Sequence, residues 1–291
     1  MVISISKRNK IESEEIKKYY IRNILFKFLF AVFFSFIYIV YYGGGDTTAY
    51  WDGAITLNKL FLKSPADYFI HLISEPTPAL RSLHFDVETG YPPGWIYREP
   101  EAWFVCKLSS IVSIFTLRSY FAGTLVFAFF TARASWRVFE MISKLETHNL
   151  RMAAYCILFV PTVSFWCTGI SKDTVIYFSV LNILFYTFDF LILRNKISFW
   201  KLGYIGISIL LIYHIRSFVL AAIAVPLFMA FGARITRRYE KNLLAKLIFR
   251  SFILFGGIFL FLFFFQSSFA ESMVLEAQSV QQDFLQNTTY T

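Results

Sequence analysis

Long apolar runs separated by short polar segments make up most of the chain. Several runs approach the length of roughly 20 residues that a helix needs to cross a membrane. The pattern predicts an all-α, polytopic membrane protein with about seven transmembrane helices. The predicted spans are residues 21–42, 120–132 with one further turn to 136, 152–168, 173–193, 199–213, 217–233 and 249–265. They divide the chain into an N-terminal segment, 1–20, a transmembrane domain, 21–265, and a C-terminal tail, 266–291.

The first loop, residues 43–118, has a helical pattern of its own. Apolar positions recur at helical spacing over 49–73, which predicts one or two amphipathic helices on the membrane surface, broken at Pro65. Five prolines in 74–101 indicate irregular structure, most distinctively at Tyr91-Pro92-Pro93-Gly94-Trp95. The apolar run 101–116 is too short for most of the hydrocarbon core, so we predict a third interfacial helix there.

Composition strengthens the membrane assignment. The chain is 57% hydrophobic and 20% aromatic, with only 16% charged residues, which exceeds what a soluble domain needs. Its net charge of +9 raises the question of nucleic-acid binding. The distribution of that charge excludes it, because the basic residues collect in the loops of one side.

Lysines and arginines orient the predicted spans. With the N-terminus inside, nineteen of them lie in cytoplasmic segments and eight in outer segments, while Lys27 lies inside the first span and is expected to snorkel to the interface. The outer segments, including loop 43–118, also hold twelve of the nineteen acids. We therefore predict a multi-pass cell-membrane protein whose basic loops face anionic lipid. The tail 266–291 ends without a closing element, and we expect the chain to be truncated or part of a longer protein.

Two aspartates, Asp46 and Asp52, follow the first predicted span on the outer side. Three glycines, Gly43 to Gly45, let the backbone turn and are followed by Asp46 at the membrane surface. Asp52 lies six residues further along the same predicted helix, on a different face from Asp46, so the two acids need not share a ligand. The alternative interpretation is a helix stop followed by solvated acids.

A second outer turn carries Lys172 and Asp173. Asp173 suits a helix N-terminus, where a carboxylate is stabilised by free N–H groups, so a capping role is the alternative. Lys172 does not fit that position, because a cation is unfavourable there. We infer that Lys172 faces an anion, for which a phosphate is the natural candidate.

His214 and Arg216 interrupt a long apolar stretch at another outer edge. A charged arginine at membrane depth is costly, by about 3 kcal/mol or more, and indicates function by default. Its planar fork suits phosphate, and snorkelling at a hairpin tip is the alternative.

His84, Asp86 and Glu88 in the first loop are weak candidates for a divalent cation, since their spacing matches no specific metal motif. No cofactor is otherwise indicated.

The order of these features resembles the GT-C superfamily of membrane glycosyltransferases, which use polyprenyl-phosphate sugar donors at the outer face. The resemblance covers roughly residues 20–235 and implies that Asp46 is the catalytic base or a metal-associated carboxylate, with Asp173 as the second acid. It also implies that the helix after Pro92-Pro93 is interfacial. The segment 165–173 and Arg216 further resemble EpsG-like and O-antigen-polymerase-like proteins of polysaccharide assembly. The predicted organisation departs from that of a full GT-C enzyme, since we expect only seven spans and no C-terminal soluble domain in this sequence.

These observations predict an inverting glycosyltransferase that moves a sugar from a polyprenyl-phosphate donor to a glycan or lipid acceptor at the outer face. Asp46 is expected to activate the acceptor hydroxyl, and Lys172 and Arg216 to hold the donor phosphate. Asp173 is expected to orient Lys172 or to help hold a metal, and His214 and Asp52 to contact the substrate. The alternatives are a polysaccharide polymerase, or a non-catalytic protein that binds or transports a lipid-linked glycan. Transport predicts polar residues inside the spans near the midplane.

Overall fold

The computed structural model describes residues 14–145, 149–191, 198–238, 248, 251–259 and 262. Within these residues the chain is helical and contains no β-strand, which confirms the all-α prediction. The chain divides into two compact units, Met1–Ser217 and Phe218–Thr291. The helices are α1 (Glu14–Phe36), α2 (Asp46–Lys63), α3 (Pro65–Ile73), α4 (Pro78–His84), α5 (Gly94–Arg98), α6 (Pro100–Phe115), α7 (Tyr120–Leu145), α8 (Leu150–Leu158), α9 (Pro161–Trp166), α10 (Lys172–Leu191) and α11 (Phe199–Arg238).

Among the described residues, two segments are long and apolar enough to cross a membrane, Glu15–Tyr41 and Phe199–Leu220. Helices α6 and α7 meet the same requirement as a pair, but they are bent by 108° at the break between them. A third crossing is counted only if this pair is a single broken span. A membrane protein is therefore supported, whereas seven spans are not confirmed.

The helices of the first loop pack into a core that also contains buried residues of α7, α10 and α11. Helix α2 ends at Lys63 and α3 begins at Pro65, at the predicted break. Between them lies Ser64, whose hydroxyl accepts a hydrogen bond from the Asp67 backbone N–H 3.5 Å away. Helix α2 packs along α6, with Leu57 and Trp103 fully buried between the loop helices. Much of the apolar surface that predicted interfacial helices is therefore covered by other residues of the same loop.

Serines of α6 supply polar contacts inside this packing. The Tyr68 hydroxyl of α3 lies 3.0 Å from the Ser110 hydroxyl, and Asn58 of α2 donates to Ser113. Each serine also donates to a carbonyl of its own helix, at 2.7 Å for Ser110 and 2.9 Å for Ser113. Because buried polar groups must be paired, these contacts fix how α2 and α3 lie against α6.

The predicted third span, 152–168, is interrupted. Residues in this region form two short helices, α8 and α9, separated at Phe159 and Val160. The interruption precedes Pro161, which lacks an N–H and disfavours a helical conformation in the residue before it. The predicted third span therefore consists of two short helices in the structure, and Pro161 sets the break between them.

Helix α11 spans the predicted boundary between the fifth and sixth spans. Its backbone leaves the helical region at one residue, Arg216, with φ −153° and ψ 85°. In the second unit, residues 218–238 continue helically with Pro226 inside, and Gly232 packs closely against Ile253. Of the predicted seventh span, only 251–259 and 262 belong to the described residues, and the tail 266–291 lies outside them.

Lys27 does not snorkel. It lies near the middle of the Glu15–Tyr41 segment, its side chain is 1% exposed, and its ammonium donates to the Ser164 hydroxyl at 2.8 Å. The ammonium also lies 5.8 Å from the centre of the Tyr177 ring. Inward hydrogen bonding replaces the expected reach to the interface, which corrects the sequence interpretation.

Candidate functional site

Asp46 begins helix α2 directly after the glycine turn. Gly43, Gly44 and Gly45 all have positive φ, at 65°, 142° and 143°, so the turn uses conformations that favour glycine. The Thr48 hydroxyl accepts from the Gly45 N–H at 3.0 Å and donates to the Gly45 carbonyl at 2.8 Å. This contact closes the N-terminus of the helix and leaves the Asp46 carboxylate exposed.

The charges that act on Asp46 belong to residues that are distant from it in the sequence. Partial burial raises the pKa of Asp46, the nearby charge of Lys172 opposes that shift, and Glu99 adds to it. A raised pKa makes a carboxylate a better proton acceptor, which suits a general base. The environment therefore places Lys172 and Glu99 close enough to Asp46 for their charges to act on it.

Lys172 already has anionic partners within the chain. Its ammonium lies 3.2 Å from Glu99 Oε2 and 3.3 Å from Glu101 Oε2, and its side chain is 17% exposed. The two glutamates flank Pro100 at the start of α6. The anion that the sequence predicts beside Lys172 is therefore present as two glutamates of the chain itself, and phosphate binding by Lys172 stays a prediction.

Glu99 and Glu101 were missed by sequence reasoning. Their only local signal is the Glu-Pro-Glu pattern before an apolar helix, which marks a helix start as readily as a site. Their pairing with a lysine about seventy positions away depends on how the first loop meets the start of α10. Tertiary packing therefore decides this contact.

Asp173 pairs with Arg216. The Arg216 Nη1 atom lies 3.4 Å from Asp173 Oδ1, and both side chains are nearly half exposed. The capping function proposed for Asp173 belongs instead to Ser171, whose hydroxyl accepts from the Thr174 N–H at 3.1 Å. The carboxylate of Asp173 is thus free to bind the arginine at the break in α11.

Tyr50 connects the two acidic helix starts. Burial first, and then the negative charges of Asp46, Glu99 and Asp173, raise the pKa of the Tyr50 hydroxyl. Because Asp46 and Asp173 both act on one hydroxyl, they lie in the same part of the molecule. Asp46, Lys172, Asp173, Arg216, Glu99 and Glu101 are called the charged cluster below.

His214 and Asp52 lie outside these ion pairs. The exposed His214 ring stacks on Phe104 of α6, with ring centres 4.8 Å apart, and its Nδ1 lies 2.9 Å from the Leu210 carbonyl oxygen. Asp52 is exposed on α2, and partial burial alone raises its pKa. Within the described part of the chain Asp52 has no ion-pair partner.

The three weak metal candidates do not converge. Asp86 and Glu88 both pair with Lys63, at 3.0 Å for Glu88, whereas His84 faces His71, whose Nε2 lies 3.2 Å from His84 Nδ1. No group of three or more histidine, cysteine, aspartate or glutamate side chains suited to a metal occurs in the described ranges. Lys63 already pairs with the two carboxylates that a divalent cation would need as ligands.

An apolar groove opens beside the charged cluster. It has a volume of about 240 Å³, and its lining includes Thr174 and Val175, which directly follow Asp173. Helices α6 and α7 contribute further apolar side chains, and Leu211 of α11 closes one side. The groove therefore begins within a helical turn of the Asp173–Arg216 pair.

Charge balance limits what the site can bind. The charged cluster contains four carboxylates and two cations, and both cations are paired. An incoming phosphate would have to replace Asp173 at Arg216 or the glutamates at Lys172. The arrangement suits a hydroxyl substrate that donates to carboxylates at least as well as it suits an anion.

Comparison of the chain with protein-family models, with curated proteins and with solved structures found no match.

Proposed function

We propose that the protein is a membrane glycosyltransferase of GT-C-like organisation. It would move a sugar from a polyprenyl-phosphate donor to a glycan or lipid acceptor at the outer face of the cell membrane. The observation that carries this proposal is the placement of an apolar groove directly beside the charged cluster. A ligand with a polar head and a hydrocarbon tail satisfies both regions.

The proposed chemistry assigns the proton to Asp46. Its carboxylate accepts the proton of an acceptor hydroxyl while that oxygen bonds to the anomeric carbon of the donor sugar. The bond from that carbon to the phosphate oxygen breaks, and the phosphate leaves with the electron pair. Arg216 would exchange Asp173 for the leaving phosphate, whose developing charge its planar fork can bind through two hydrogen bonds.

The proposal includes the predicted topology. It places the N-terminus in the cytoplasm and the charged cluster outside, with the remaining predicted spans completing a membrane domain. The two span-length segments, Glu15–Tyr41 and Phe199–Leu220, support a membrane location. A polysaccharide polymerase would differ from a transferase only in its product.

The test is transfer from a radiolabelled polyprenyl-phosphate sugar in membranes containing the full chain. Asp46→Asn should reduce transfer by at least about a hundredfold while donor binding changes little, because a base acts in the chemical step. Arg216→Lys should weaken donor use although charge is kept, since a lysine lacks the bidentate fork. Glu75→Gln, an exposed loop acid, is the matched control. Full transfer by Asp46→Asn would remove the catalytic proposal.

A second candidate function is binding or transport of the same lipid-linked glycan without chemistry. Transport predicts polar groups inside the spans, and Lys27 and Asn23 are both buried on α1. The Asn23 amide donates to the Ala132 carbonyl at 2.8 Å. Translocation of a labelled lipid-linked sugar in vesicles that show no transfer, lost in Lys27→Met, would favour this function.

A further inference from the structure

Two exposed aromatic side chains flank a rigid part of the first loop. Tyr91 is 57% exposed and Trp95 is 46% exposed, although their neighbours Ile96 and Tyr97 are almost fully buried. Tyr91 and Trp95 are separated by Pro92-Pro93 and Gly94. Within the described residues, no other ring packs on Trp95. The indole face is therefore available to a ligand.

Contacts with α4 and with Thr77 hold the segment that carries these two rings in place. Arg81 of α4 donates from Nη2 to the Pro92 carbonyl at 3.0 Å, and its guanidinium lies 6.0 Å from the centre of the Tyr97 ring. The Tyr97 hydroxyl in turn donates to the Thr77 carbonyl at 3.3 Å. Prolines restrict the backbone further. A ligand that binds here would meet preorganised side chains, which lowers the entropic cost of binding.

Trp95 shares one side of α5 with Arg98. Positions 95 and 98 have the spacing of one helical face, and Glu99 follows directly in an extended conformation at the end of α5. Glu99 is also a partner of Lys172 in the charged cluster. The exposed indole thus precedes a member of the charged cluster by four residues, and charged side chains follow it in the chain.

We propose that Trp95, with Tyr91, forms a binding platform for the acceptor glycan. The apolar C–H face of a sugar ring stacks on an aromatic face, while its hydroxyls hydrogen-bond to groups such as Arg98 and Glu99. Lipid headgroups are the competing occupant of this surface, but Arg98 on the same face of α5 and Glu99 directly after it favour a sugar. This inference rests on the proposed function for the identity of its ligand as an acceptor.

The experiment measures binding of four neutral oligosaccharides to the full chain in a detergent without a sugar headgroup. The probes are chitotetraose, maltotetraose, cellotetraose and xylotetraose, and isothermal titration calorimetry reports binding, since this readout does not depend on the tryptophan that is replaced. At least one probe should bind saturably. Trp95→Ala should weaken that binding by roughly tenfold, as expected for loss of a stacking contact. Trp95→Phe should retain most of it, and Trp200→Ala, which removes a tryptophan that is 78% exposed on α11, should leave it unchanged.

The outcomes separate this inference from the proposed function. Binding of no probe, or binding unaffected by Trp95→Ala, overturns the glycan platform. Strong quenching of wild type but not Trp95→Phe by brominated lipids would assign the indole to the membrane and overturn it equally. Probe binding without sugar transfer would sustain the platform while the transferase proposal fails, because the probes carry neither phosphate nor lipid. Transfer that persists at full rate in Trp95→Ala would sustain the transferase and remove the platform.

Discussion

At the scale of single residues, His71 shows how strongly the first loop excludes water. Its side chain is 1% exposed, and its ring lies 4.7 Å from the centre of the Phe85 ring. His84 bonds to His71 at 3.2 Å and approaches Asp67 at 3.7 Å on its other nitrogen. A histidine in such surroundings is stable as the neutral imidazole, since burial penalises the charged form.

Protonation of His71 should destabilise the fold in acid. Burial first, and then the charges of His84 and Lys107, lower the pKa of His71 to about 4, against the opposing charge of Asp67. In the unfolded chain this histidine binds its proton near pH 6.5. The free energy of unfolding therefore contains the full contribution of the neutral ring above pH 6.5. It decreases between pH 6.5 and pH 4, by up to about 3 kcal/mol.

Thermal unfolding in detergent between neutral pH and pH 4 measures this effect. His71→Phe keeps the ring packing and removes the proton, so its unfolding temperature should fall less over the same range than that of the unaltered chain. Parallel curves for the two proteins would show that His71 does not govern the acid sensitivity.

At the scale of helices, the turn between α9 and α10 is held by α1. A Cβ atom on Gly169 would lie 2.1 Å from the Phe34 ring, and Phe34 also packs edge-on against Phe165 with ring centres 5.3 Å apart. Only glycine fits without displacing that ring. The turn leads directly into Lys172 and Asp173, so the packing of Phe34 sets where the charged cluster begins.

Gly169→Ala should therefore lower the free energy of unfolding by about 1–3 kcal/mol through overpacking. Gly203→Ala on α11, where no atom lies within 4 Å of the added methyl, is the matched control and should be neutral or stabilising. Phe34→Leu should recover part of the lost stability when combined with Gly169→Ala. Equal effects of the two alanine substitutions, measured by thermal unfolding, would contradict the close packing.

Local features of the helices were predictable, while contacts between them were not. The break at Pro65 and the glycine turn before Asp46 follow from the residues at those positions. The pairing of Lys172 with Glu99 depends on two segments far apart in sequence meeting in space. Periodicity also cannot tell a lipid-facing position from one covered by the same loop, which is why Trp103 lies in a core and not at an interface.

At the scale of the whole molecule, orientation in the membrane is the central prediction. In a background with the three native cysteines replaced by alanine, Val87→Cys should react with an impermeant maleimide from outside, and Lys144→Cys only after the membrane is opened. Both side chains are exposed, so access to the reagent is not limited by folding. The reason for the expected sidedness is the concentration of lysine and arginine in the predicted cytoplasmic segments. Reaction of the Lys144→Cys chain from outside would contradict the predicted orientation.

The buried position of Lys27 has a consequence for biosynthesis. Its hydrogen-bond partner, Ser164, is 137 positions later in the chain. At a translation rate of about 5–20 residues per second, roughly 7 to 27 seconds pass before the ribosome reaches that serine. During this interval the lysine side chain lies in lipid or in the translocon without its hydrogen-bond partner. Inserting a lysine at the centre of a span raises the free energy by about 3 kcal/mol. Helix α1 is therefore completed long after its own synthesis, since its final stability depends on a serine that is synthesised much later.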